Sequence, residues 1–78
     1  MASSTQANTV VLSGFFHGDT GKATLFEIYK VGDQDLTDPR KEWFPLSQVT
    51  RMVKQPKNSQ EHDTLVVNEW ICRQKDLV

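Results

Sequence analysis

Few residues in this 78-residue chain have the type and spacing to do chemistry. The segment Gly14-Phe15-Phe16-His17-Gly18-Asp19-Thr20-Gly21-Lys22-Ala23-Thr24 invites a phosphate-loop reading, because Gly21-Lys22 is followed closely by Thr24. That loop needs a glycine where Phe16 stands and Ser or Thr directly after Lys22, where Ala23 stands. A hairpin turn explains the two glycines better. Asp33, Asp35 and Asp38 open like a calcium loop, but the position that must be glycine is Asp38 and the position that must be Glu is Phe44. For zinc the whole stock is His17, His62 and Cys72, without paired spacing. Cys72 with either histidine could form a nucleophile and base, yet it follows Trp70 on a short predicted helix, where a cysteine serves as a small apolar filler. The carboxylates cluster in turns, which does not suit acid and base work. We expect no enzyme: no catalytic residue, no cofactor and no metal ligand.

The elements that would hold any site are small. A chain of this length buries only about 60% of the surface its unfolded form exposes. Much of that burial is expected from Phe15, Phe16, Phe26, Tyr29, Trp43, Phe44 and Trp70, since each aromatic hides roughly 150–250 Å². Cys72 is the sole cysteine, so no intrachain disulfide forms, and an intracellular protein is expected. Residues Met1 to Thr9 lack the basic start and apolar run of a signal peptide. No stretch approaches the roughly 20 apolar residues that span a bilayer. Together these point to a cytoplasmic protein.

Charge is uneven along the chain. Residues 1–39 carry a net of about −3, residues 40–60 about +4, and residues 61–78 about −2 at neutral pH. Arg40, Lys41, Arg51, Lys54 and Lys57 make up the basic middle. Such a middle can serve as a face for phosphate or for an acidic protein, or simply be solvated charge.

Residues 1–8 are small and polar and read as a flexible tail. Residues 9–78 read as one small domain. Thr9 to His17 is β-branched and aromatic and favours a strand, with Gly14 marking a bulge. His17 to Gly21 has turn chemistry. Lys22 to Val31 returns antiparallel, with Thr24, Phe26 and Ile28 on one face and Ala23, Leu25, Glu27 and Tyr29 on the other. Gly32 to Pro39 reads as an acidic loop, Lys41 to Phe44 as a short strand, and Pro45 as a corner. Val49 to Lys54 alternates as a strand, Gln55 to His62 is a polar loop, and Asp63 to Val67 is the last strand. Asn68 then caps a helix over residues 69–75, anchored by Trp70 and Ile71. The expected fold is mainly β: a small antiparallel barrel-like or sandwich sheet of about five strands, SH3/OB-like, with a short C-terminal helix.

Two clusters, Glu42-Trp43-Phe44-Pro45-Leu46-Ser47-Gln48-Val49 and Leu65-Val66-Val67-Asn68-Glu69-Trp70-Ile71 followed by Lys75-Asp76-Leu77, resemble small, largely uncharacterised proteins of bacteriophages and prophages. The resemblance covers the second half of the chain. It implies a phage or prophage origin, the cytoplasm of a host cell, and no catalytic residues. Asp76 departs from the glycine usual in that group, which suggests a less sharply turned helix end. Trp43 and Trp70 are expected to close the two sides of the domain.

Two functional readings follow. The first is a protein–protein interaction module that modulates a host or phage protein, with self-association into a homodimer as a further use of the same surface. The second is a nucleic-acid-binding small β-barrel using the basic segment 40–57, with Tyr29 or Phe44 stacking on bases. The expected contact surface comprises Phe15, Phe16, Arg40, Lys41, Arg51, Lys54 and Lys57, and no membrane is involved.

Overall fold

A computed structural model describes residues 8–77. The predicted tail falls outside the described residues except for Asn8, whose carbonyl accepts the Glu69 N–H at 2.7 Å. Five strands, β1 (Thr9–Asp19), β2 (Ala23–Val31), β3 (Gln34–Pro45), β4 (Val49–Val53) and β5 (Asp63–Asn68), precede a single helix, α1 (Glu69–Gln74). They form one antiparallel sheet in the order β3-β2-β1-β5-β4, as expected for a mainly β chain. A short 3-10 turn, Leu46–Gln48, follows the Pro45 corner.

β1, β2 and β5 form where β-branched and aromatic residues alternate, and one face of that alternation makes most of the core. Leu12 from β1, Phe26 and Ile28 from β2, Phe44 from β3, and Leu65 and Val67 from β5 are fully buried, joined by Val31 and by Ile71 and Cys72 of α1. Of the two faces read on β2, that of Thr24, Phe26 and Ile28 is buried, with Val31 beyond it, while Leu25, Glu27 and Tyr29 are only half-buried on the opposite face.

Irregular pairing bends this sheet. Gly14 faces Ile28 and Ser13 faces Lys30, so Tyr29 is the extra residue of a bulge on β2. Gly14 permits the close approach this requires: a Cβ there would lie 1.8 Å from the Glu27 carbonyl oxygen. His17 is a second extra residue, between the pairs Phe16–Phe26 and Gly18–Leu25. Asp63 stabilises this region, its carboxylate accepting the Phe16 N–H at 3.2 Å and the Gln55 N–H at 2.7 Å. Bulges of this kind increase bend and twist, which lets a sheet wrap its own apolar face.

The acidic segment from Gly32 to Pro39 is not the loop expected from its composition. Val31 pairs with Gln34, so the turn is only Gly32-Asp33, with Gly32 at φ 58°. A two-residue hairpin that supplies its own left-handed glycine lets pairing resume at once. Asp35 and Asp38 then lie exposed along β3, which is irregular from Leu36 to Pro39 opposite Tyr29. β3 is an edge strand, and Pro39 and Pro45 deny it two backbone donors.

The helix ends also differ from expectation. Asn68 occupies the capping position, but its side chain makes no capping bond and donates instead to Gln48 Oε1 at 3.1 Å. At the other end Asp76 adopts φ 57°, the Asp76 N–H donates to the Arg73 carbonyl and the Leu77 N–H to that of Cys72. This is the Schellman closure, so the turn is sharp without glycine, and Leu77 packs on the core as that motif requires. The end of α1 is further tied to β3: Arg40 Nη2 donates to Glu42 Oε2 at 2.7 Å and to the Lys75 carbonyl at 3.0 Å, while Lys75 Nζ lies 3.5 Å from Glu42 Oε1.

Chemical denaturation should separate two glycine effects. Gly14→Ala is expected to lose about 3 kcal/mol, because the new methyl meets backbone rather than a movable side chain. Asp76→Gly should gain about 0.5–1 kcal/mol by relieving the left-handed conformation.

Candidate functional site

Fully buried core residues and exposed chemistry separate cleanly in this fold. Cys72 is sealed against the core, and burial, with Glu69 as a lesser cause, pushes its thiol up to about 11. A thiol so placed is un-ionised at neutral pH and a poor nucleophile. The two histidines are elsewhere. His17 Nε2 lies 2.8 Å from Glu27 Oε1, and His62 stacks on Tyr29 at 5.2 Å between ring centres. Among the described residues no cluster of three or more His, Cys, Asp or Glu is arranged to hold a metal ion.

Of the expected contact residues, Phe15 and Phe16 go to different environments. Phe15 is half-buried in an edge-on cluster with Tyr29 at 5.5 Å and His62 at 5.0 Å. Phe16 packs against the core, edge-on to Phe26 at 4.8 Å, with the Lys54 ammonium 5.3 Å from its ring centre. The basic stretch is divided by the sheet order. Arg40 and Lys41 are on β3, one edge; Arg51 is on β4, the other edge, and Lys54 and Lys57 follow it. Arg40 is engaged by Glu42 and the helix end, and Lys41 stands opposite Glu27 in the ladder. The basic residues are therefore shared between the two outer strands, which the three-residue turn Leu46–Gln48 joins.

The two tryptophans overturn their expected sealing role. Trp43 is 46% exposed and Trp70 57% exposed. The cause is strand and helix phase. Phe44 takes the fully buried position before the Pro45 corner, so its neighbour Trp43 must face outward beside Leu25. In α1 the buried stripe is Ile71 and Cys72, packed toward β5 and β1, and a helix of six residues has no second stripe to bury Trp70.

Trp70 lines an open groove of about 300 Å³ with Asn8, Gln48, Asn68, Glu69 and Arg73. Three separate elements build it: the entry to β1, the 3-10 turn after the Pro45 corner, and the junction of β5 with α1. Its polar wall is the Gln48–Asn68 amide pair. Its charges balance, because Glu69 Oε1 lies 3.4 Å from both Asn8 Nδ2 and Arg73 Nη2. None of these six residues belongs to the contact surface expected from sequence. The available signal was the helix itself, since two adjacent buried residues, Ile71 and Cys72, leave the preceding Trp70 on the outer side.

No helix of the described residues is long and apolar enough to cross a membrane. Compared with protein-family models, curated proteins and solved structures, the chain matches none.

Because both indoles keep about half their surface in water, Trp43→Ala and Trp70→Ala should each cost about 1–2 kcal/mol in thermal or denaturant unfolding, against about 3–5 kcal/mol for Phe44→Ala. Acrylamide should quench both tryptophans efficiently in the folded protein.

Proposed function

We propose that this chain is a non-catalytic protein-interaction module of the accessory type carried by bacteriophages and prophages, acting on a host or phage protein in the host cytoplasm. The observation that carries the reading is Trp70, a large aromatic 57% exposed at the lip of a groove and not needed to complete the core. Tryptophan is among the residues that most often dominate binding energy at protein interfaces. The groove's balanced Glu69–Arg73 charges and its amide wall suit an uncharged protein surface. The phage assignment is supported by the resemblance of the two tryptophan clusters. The nucleic-acid reading is the weaker one, since Arg40 is engaged by Glu42 and the Lys75 carbonyl, and the net charge is −1.

Immobilised wild-type chain, incubated with bacterial lysate, should retain a discrete protein that Trp70→Ala loses and Trp43→Ala keeps. Equal retention by all three would overturn the role of this groove. Oligonucleotide titration at low salt should show no binding that falls steeply as salt rises; such a fall would instead establish phosphate as the ligand.

A further inference from the structure

Of the two outer strands, β4 leaves the more open edge. β3 loses two backbone donors at Pro39 and Pro45, whereas Val49–Val53 contains no proline. β4 packs on β5 along one side, and no other element packs along it comparably. Beyond the slip at Thr50, Arg51, Met52 and Val53 pair regularly with β5. Among the described residues no turn or loop backbone bond reaches Thr50–Val53. A strand edge in this state presents N–H and C=O groups to an added extended segment.

The side chains along this edge select what the segment carries. Val31, Leu12, Leu65 and Met52 stand opposite one another across β2, β1, β5 and β4, and so share one face. The first three are buried and Met52 is 37% exposed, so the apolar row runs out at the open edge. An apolar residue laid beside Met52 continues that row. Around it lie cations, since residues 49–60 hold Arg51, Lys54 and Lys57 and no acid. Among the described residues none of these three makes an ion pair, whereas Arg40, Arg73 and Lys75 each do. The carboxylate of Asp63 is turned to the Phe16 and Gln55 N–H groups. Arg51, opposite Val66, lies on the other face from Met52, and Lys54 returns to the Met52 face with its ammonium over the Phe16 ring. Positive charge therefore flanks the edge on both faces of the sheet.

The same charges discriminate between occupants. Antiparallel pairing of two copies along β4 would set Arg51 and Lys54 of one against those of the other, and like charges opposed across a ladder destabilise it. A carboxylate at those places turns the repulsion into attraction. We infer that the open edge of β4 takes an acidic extended segment of a partner protein as an added strand, with an apolar residue beside Met52 and carboxylates beside Arg51 and Lys54. This rests on the protein-binding reading above and adds the partner's chemistry. Since Gln48 lines the Trp70 groove and directly precedes Val49, a segment on this edge leads towards that groove.

The test is a proton–nitrogen NMR titration of the full chain with the end-blocked peptide Glu-Val-Thr-Glu-Val-Thr-Glu. Two matched peptides accompany it, one with every Glu replaced by Lys and one methylated at its Val and Thr backbone nitrogens. The acidic peptide should shift the backbone amide signals of Thr50, Arg51, Met52 and Val53, and both matched peptides should bind at least about tenfold more weakly. Its affinity should fall about threefold as salt rises from about 50 to about 300 mM. Arg51→Glu combined with Lys57→Glu should weaken the acidic peptide about tenfold and strengthen the lysine peptide. Both positions are exposed, and the amide spectrum of the double variant checks that the fold persists. Equal binding by the methylated peptide would overturn strand addition, and equal binding by the lysine peptide would overturn the preference for acid. Shifts confined to β3 or to the Trp70 groove would overturn the site, and a concentration-dependent dimer paired through Thr50–Val53 would assign the edge to a second copy instead. No shift with any peptide would overturn the inference, while lysate capture and its loss in Trp70→Ala would leave the protein-binding reading intact.

Discussion

A helix of six residues cannot cover five strands, and the rest of the structure follows from how this sheet encloses its own apolar face. α1 contributes only Ile71 and Cys72 to the buried set. The remaining enclosure comes from bent strands, and the bends sit where pairing slips: at Tyr29 opposite Gly14, at His17, along Leu36 to Pro39, and between Val49 and Arg51. Gly14 is the position on which this depends most directly, because no other residue fits against the Glu27 carbonyl.

Once the sheet is bent, polar groups at its margins close it. Arg40, Glu42 and Lys75 join β3 to the end of α1, and the Lys75 ammonium also lies 5.6 Å from the centre of the Phe44 ring. Charge-assisted contacts of this kind, half-buried, contribute more by fixing geometry than by raw energy. Asp63 plays a similar part on the other side, linking β1 to Gln55, two residues beyond β4. The basic residues that sequence suggested as a binding surface are in part these fasteners.

The exposed tryptophans are the complement of that economy. Each sits beside a residue that takes the buried place: Phe44 beside Trp43, Ile71 beside Trp70. Each indole leaves about half of its surface to solvent, and exposed aromatic area of this kind is what the proposed binding reading rests on. Trp70 has the stronger claim because a groove with polar partners adjoins it, whereas Trp43 stands on an open strand face.

The amino-acid sequence by itself determined the mainly β class, the two faces of β2, the turn after β1, the Pro45 corner, the strands β4 and β5 to within a residue, and the short terminal helix. These follow from local properties: alternation, β-branching, and glycine or proline at positions of special backbone conformation. Only the tertiary structure decided that the acidic segment pairs as part of β3, that Asp76 closes the helix without glycine, and that both tryptophans face outward. It also decided that Arg40 and Lys41 lie on a different edge from Arg51. Burial of a given aromatic and the meeting of charges depend on strand order and on one-residue slips of register, and each slip turns side chains to the other face of the sheet. The groove at Trp70 is of the same kind, for Asn8, Gln48 and Asn68 are far apart in sequence and meet only because β1 pairs with β5 beside the 3-10 turn.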